Sequence, residues 1–187
     1  AAIPQPEYAE SGIKWMDARI NESLIQIEDH FNKYRLSDAL MSTYRLIWDD
    51  FCSNYLEIIK PAYLAPIDEQ TYNQTVAFFE KLMKILHPFT PFLTEEIWHL
   101  LAERNEEDNI MVAELPKAEE FNTIYLTDFT LASDIVNQIR KVRKEKNIPN
   151  KEQLELFYKG DLNTNFQSVI IKLGNLRINA SAITKKD

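Results

Sequence analysis

The run Arg140-Lys-Val-Arg-Lys-Glu-Lys146 puts five cations into seven residues, and the chemistry of such a cluster is the neutralisation of phosphates. On a helix, Arg140, Arg143 and Lys144 share one face while Ile135, Ile139 and Val142 point away toward a core. The competing reading is a solvated helix end whose cations favour the negative end of the macrodipole. Covalent chemistry is harder to place. Cys52 lies in an apolar, helical stretch with no histidine beside it, which reads as a small core filler in a reducing compartment rather than a nucleophile. His30, His87 and His99 have neither cysteine neighbours nor the i, i+4 spacing of a zinc site, so no metal is expected. The carboxylate pairs Asp49-Asp50 and Glu95-Glu96 read as solvated helix surface, not as a general acid and base. Only three glycines occur, Gly12, Gly160 and Gly174, so no phosphate-cradling loop of the Walker or Rossmann type can be written. No catalytic constellation is left, and no cofactor is expected on this stretch of chain.

At 187 residues, 45% hydrophobic and 27% charged, the chain can bury a core large enough to fold without disulfides or metals. No run approaches the ~20 apolar residues of a membrane span, and the N-terminus lacks the basic-then-apolar layout of a secretory signal. A cytoplasmic protein without membrane contact is expected. The net charge of −8 hides an asymmetry, since residues 1–110 carry 9 Lys and Arg against 19 Asp and Glu, whereas residues 111–187 carry 12 against 10. The two parts face different electrostatic tasks.

Helices must position the cations. After a loose lead, residues 1–12, the apolar residues Met16, Ile20, Leu24, Ile27 and Phe31 recur at spacings of three and four and predict a helix ending near Phe31. Ser37 and Asp38 offer the next start, followed by Leu40, Tyr44, Ile47, Phe51, Tyr55 and Ile58. Trp48, Cys52 and Leu56 widen that stripe, which predicts packing on several sides until Pro61 stops the helix. Asp68 can cap a third helix with Val76, Phe79, Leu82, Met83 and Leu86 inward. His87-Pro88 closes it, and Thr90, as cap, with Pro91 at the first helical position opens a fourth that buries Leu93, Ile97, Leu100 and Leu101. Short loops make the four helices an antiparallel bundle over residues 13–110. Residues 111–187 then read as a small α+β unit. It has a helix over Asp128 to Asn147, a strand around Leu154 to Tyr158, a turn at Gly160-Asp161, a short helix through Phe166 and Leu173, and a second strand over Leu176 to Ala180.

Two strings are more specific than any periodicity. His87-Pro-Phe-Thr-Pro-Phe-Leu-Thr-Glu-Glu-Ile-Trp98 is a corner between helices in which two prolines fix the backbone and Phe89 and Phe92 plug the junction. It closely resembles the end of the helical-bundle domain in the class I aminoacyl-tRNA synthetases for valine, isoleucine, leucine and methionine. Trp48-Asp-Asp-Phe-Cys-Ser-Asn-Tyr-Leu-Glu-Ile-Ile-Lys-Pro61 resembles the valyl form most, while Trp15 with Arg19 resembles the opening of the preceding helix in the family and Ala113-Glu-Leu-Pro116 the connector after its bundle. The resemblance spans about residues 14–159 and departs modestly at Ser53-Asn54, where bacterial valyl enzymes commonly carry Asp-Trp.

The resemblance implies a mainly α fold, the anticodon-binding bundle of these enzymes followed by the small α+β region, and a function in binding the anticodon arm and stem of a tRNA. In the parent enzyme it implies valine, ATP and Mg as reactants and cofactor, tRNA(Val) as partner, and a catalytic domain on the same polypeptide. The family's ATP-binding words, built on His-x-Gly-His and Lys-Met-Ser-Lys-Ser, do not occur here, so the chain is expected to be part of a longer protein and inactive alone. The candidate RNA-binding residues are Arg140, Lys141, Arg143, Lys144 and Lys146, with Arg35, Lys33 and Lys60 as weaker ones near loop ends. Arg19 is expected to pair with Glu95 or Glu96 and tie the first helix to the fourth. The rival readings are an isoleucyl or leucyl version of the domain and a non-enzymatic helical module that recognises protein.

Overall fold

The computed structural model describes residues 3–105, 107–157 and 164–177. Its elements are α1 (Glu7–Asn32), α2 (Leu36–Arg45) continuing through a π-helical segment (Leu46–Tyr55) into α3 (Leu56–Ile59), α4 (Glu69–Leu86) and α5 (Pro91–Leu101). A 3₁₀ turn (Ile110–Val112), α6 (Ile124–Glu145), strand β1 (Leu154–Glu155), α7 (Gln167–Gly174) and strand β2 (Leu176–Arg177) follow. The strands pair in parallel, Leu154 opposite Leu176 and Glu155 opposite Arg177. The protein is mainly α, as its periodicity requires. The turn expected at Gly160-Asp161, Tyr158 and the far end of the second strand, to Ala180, lie outside the described residues. Among those described, no helix is long and apolar enough to cross a membrane.

α1 is the hub, packed against α2, the π-helical segment, α3, α4, α6 and α7. Its N-terminal half is covered on several sides, which is why Ser11, Gly12, Trp15, Met16 and Ala18 are all buried. At Gly12 the fit against α3 is so close that a Cβ would stand 2.8 Å from Ile58 Cγ2, closer than such atoms approach. Trp15, fully buried, stacks on Phe129 of α6 with ring centroids 3.9 Å apart, and Phe129 meets Phe166 edge-on at 5.7 Å. Through these three rings the buried residues of α6, α7 and β2 join one apolar cluster with those of the preceding helices.

The second rod differs from its expected stripe. Leu40, Tyr44 and Trp48 are exposed, and the buried positions are Ala39, Thr43, Leu46, Phe51, Tyr55 and Ile58. The reason is the π-helical turn, in which bonds reach back five residues instead of four. Ser53 Oγ donates to the Trp48 carbonyl and Asn54 Nδ2 to that of Asp49, each at 2.8 Å, and Leu56 N–H donates to Phe51. The step from Leu46 to Phe51 rotates the buried face by one residue, so a constant helical period spreads apolar residues around the rod. Asp68 caps α4 as expected, accepting from Thr71 N–H at 2.8 Å. Thr90 does not cap α5 with its side chain. There the hydroxyl of Thr94 makes the corner, contacting His87 Nδ1 at 2.7 Å and donating to the Thr90 carbonyl at 2.9 Å. With the helix turned this way Thr94 and Trp98 are its buried residues, while Phe92, Leu93 and Leu100 are exposed.

The expected tie between Arg19 and Glu95 or Glu96 is not formed. Arg19 pairs with Glu22 at 2.5 Å on its own helix and faces Asp50 on the π-helical segment at 3.7 Å; Glu95 instead accepts from Ile110 N–H and faces His99. Burial raises the carboxyl of Asp50 to about 6, outweighing the attraction of Arg19. A carboxyl that binds its proton more tightly folded than unfolded loses stability as pH rises between its two pKa values. The wild type should therefore lose on the order of 2 kcal/mol from this group between pH 4 and 6. Urea unfolding across that range should show Asp50→Asn with a flatter profile than the wild type; identical profiles would remove Asp50 as the cause.

Candidate nucleic-acid interface

α6 buries Leu126, Phe129, Ala132 and Val136, and its last turns, which pack on α7, leave Arg140 and Lys144 exposed. Arg140 and Lys144, one helical turn apart, come side by side there. The helix closes with Ile148 N–H donating to the Arg143 carbonyl at 2.9 Å and with Asn147 in the left-handed region at φ 52°. Asparagine tolerates that conformation better than most residues. α7 ends in the same way at Asn175, φ 49°. Between the two helix ends opens a cleft of about 570 Å³ whose polar wall includes Arg140, Lys144, Asn147, Asn150 and Asn175.

Arg143 does not share the exposed face with Arg140 and Lys144. It is 3% exposed, and its guanidinium donates to the carbonyls of Pro149 at 3.1 Å, Gly174 at 2.9 Å and Asn175 at 3.2 Å. Val142, expected inside, is exposed in its place. The exchange has an electrostatic logic. Two helix C-termini converge on the cleft, and their free carbonyls would make it repel anions. A buried guanidinium satisfies the Gly174 and Asn175 carbonyls at the end of α7 and the Pro149 carbonyl in the loop after α6, which leaves Arg140 and Lys144 to set the sign of the cleft. Neither has a hydrogen bond or ion pair among the described residues.

A family model described as the anticodon-binding domain of tRNA ligase matches residues 13–158. The chain belongs to that family. It is 46% identical over 176 residues to a valine–tRNA ligase of Christiangramia forsetii, covering 93% of this chain and 20% of that protein. It is 44% identical over 174 residues to one of Parabacteroides distasonis, with coverage of 93% and 20%. To one of Bacillus licheniformis it is 36% identical over 151 residues, with coverage of 78% and 17%. The chain thus spans about a fifth of the length of the first two relatives.

In this anticodon-binding domain the other candidate cations are dispersed. Lys141 on α6 and Lys146 just past its end are exposed but do not line the cleft. Lys33 pairs with Asp29 at 2.7 Å at the C-terminal end of α1, and exposed Arg35 follows a left-handed Tyr34 in the same turn. That end lies opposite the cleft, because α7 packs on the first turns of α1, where Ser11 Oγ donates to the Asn165 carbonyl at 2.6 Å. Lys60 is on the cleft side, paired with Glu57 at 3.2 Å. Beside it Lys172 of α7 donates to the carbonyls of Ile58 and Lys60, both at 2.5 Å, and lies 3.7 Å from the centre of the Tyr8 ring. Burial pushes this ammonium down to about 8. The residues that charge counting missed are Asn147 and Asn150, whose signal was an asparagine just past a helical pattern and before Pro149.

Removing the buried guanidinium leaves the Gly174 carbonyl without a partner among the described residues and takes a charged donor from those of Pro149 and Asn175, which keep the Glu152 and Leu154 N–H groups. Arg143→Ala should therefore lower stability by about 2–4 kcal/mol in urea unfolding, and Arg143→Lys should recover only part, since one ammonium cannot replace the fork. Arg140→Ala should change stability by less than ~0.5 kcal/mol. Equal costs at the two positions would refute the division between them.

Proposed function

We propose that this chain is the tRNA-binding portion of a valine–tRNA ligase and holds the anticodon arm and adjoining stem of tRNA(Val). In the longer cytoplasmic enzyme, a catalytic region of the same polypeptide joins valine to that tRNA with ATP and Mg. The observation that carries the RNA reading is the pair Arg140 and Lys144, unpaired among the described residues, at the wall of a polar cleft. The printed names of the relatives favour valine over isoleucine or leucine. ATP and Mg do not fit the described residues: Gly12 is packed inside α1 and Gly174 against Leu176, so neither glycine belongs to a phosphate-cradling loop.

The acidity of the bundle limits the interface. With 19 Asp and Glu against 9 Lys and Arg, residues 1–110 repel phosphate, so contact is confined to basic edges and to base recognition by polar and aromatic groups. The chain alone should bind weakly and with strong salt dependence. A protein-binding helical module is the second reading, favoured by the exposed apolar stripe Leu36, Leu40, Met41, Tyr44 and Trp48 on α2 and the segment that follows it.

Replacing Arg140 and Lys144 together with alanine should reduce the slope of log affinity against log salt by up to about two units, roughly one per lost phosphate contact. Fluorescence anisotropy with tRNA between low and physiological salt reads the slope. A double variant with the wild-type slope removes the cleft from the interface.

A further inference from the structure

A second, smaller cavity of about 140 Å³ adjoins the cleft, and Arg140 lines both. One side of it is the π-helical segment and α3, with Ser53, Asn54 and Glu57, and the other is α6, with Ser133 and Asn137. The π-helical turn decides what the first side offers. The Ser53 hydroxyl proton and one N–H of Asn54 Nδ2 are committed to backbone carbonyls five residues back, which leaves Ser53 Oγ and Asn54 Oδ1 as acceptors. Glu57 adds a carboxylate, one oxygen of which pairs with Lys60 and the other of which is an acceptor. The compartment is therefore rich in acceptors and, with Glu57 present, unsuited to a phosphate. Phe129, the aromatic ring in its lining, is buried and stacked on Trp15, so it offers no open face to a base.

We infer that this compartment accepts a ribose 2′-hydroxyl of the strand whose phosphate lies on Arg140, so that the interface selects RNA over DNA. The inference rests on the RNA reading above. A phosphate and the 2′-hydroxyl beside it are the nearest acceptor-and-donor pair along an RNA chain, and the donor half is what DNA lacks. Arg140, standing between a compartment with the cation Lys144 and one with the oxygens of Asn54 and Glu57, matches that alternation. Asn137 supplies an amide that donates or accepts at the same place.

The experiment compares three labelled stem–loops of one sequence, that of a valine tRNA anticodon arm, by anisotropy at low salt with the whole chain. They are RNA, its 2′-fluoro analogue, which keeps the RNA-like sugar pucker but has no hydroxyl donor, and DNA. The wild type should bind RNA about fivefold to tenfold more tightly than either of the others. Asn137→Ala, at an exposed helix position, and Asn54→Leu, checked for folding by thermal melting, should bring RNA down toward the 2′-fluoro level and leave 2′-fluoro binding unchanged. RNA and 2′-fluoro RNA binding equally, or a variant weakening both by the same factor, would overturn the inference while leaving the RNA reading intact. Absence of binding to all three, or binding indifferent to the Arg140→Ala, Lys144→Ala pair, would overturn both.

Discussion

The stack of Trp15 on Phe129 is the contact on which the arrangement depends. It sits where α1 meets α6, and Phe166 closes it from the side of α7. Around it the bundle and the residues from α6 onward are tied by single bonds, Ser11 to the Asn165 carbonyl and Lys172 to those of Ile58 and Lys60. Burying three aromatic rings against one another removes several hundred square ångströms of apolar surface from water, enough to set the angle at which α6 leaves the bundle. That angle sets Arg140 and Lys144, both exposed, at the wall of the cleft between the ends of α6 and α7. Position in the fold, rather than overall charge, therefore gives an acidic protein a cationic edge.

The same edge shows how residues of one type separate into different tasks. Arg140 and Arg143 are three positions apart, yet one faces solvent and the other holds together the ends of α6 and α7. The difference follows from what each helix end requires. Free carbonyls at a C-terminus need donors, and a second helix ending nearby doubles the requirement. A guanidinium can reach three carbonyls from one place, whereas two lysines would have to crowd there. Lys172 performs a related task between α7 and α3, where two backbone carbonyls and the face of Tyr8 surround its ammonium.

Much of the fold was legible because α1, α4, α5 and α6 follow a steady period and their ends carry ordinary signals, Asp68 and Pro91 among them. What was not legible had local causes. The π-helical turn hid the inward face of the second rod, because a five-residue step appears in sequence only as apolar residues on every side, and Trp48 was thereby assigned to the interior. At the corner after α4 the word His87 to Trp98 was visible, but the expected cap Thr90 makes no side-chain cap bond and Thr94, bonded to His87, closes the corner. At the cleft the cations were visible by type, and Arg143 looked equivalent to its neighbours because charge counting does not record which carbonyls lie nearby. Arg19 had acidic partners, but they were Glu22 one turn along its own helix and Asp50 on the adjacent rod.

α1 also acts as a gauge. At 26 residues it is about 39 Å long, with exposed Arg35 just past one end and α7, beside the cleft, packed on the other. Any object that engages both must be at least that long and stiff enough to hold its length. A rigid double-helical stem could hold that span, whereas a single nucleotide could not reach across it, so the length of one helix sets the size of any partner that would touch both ends.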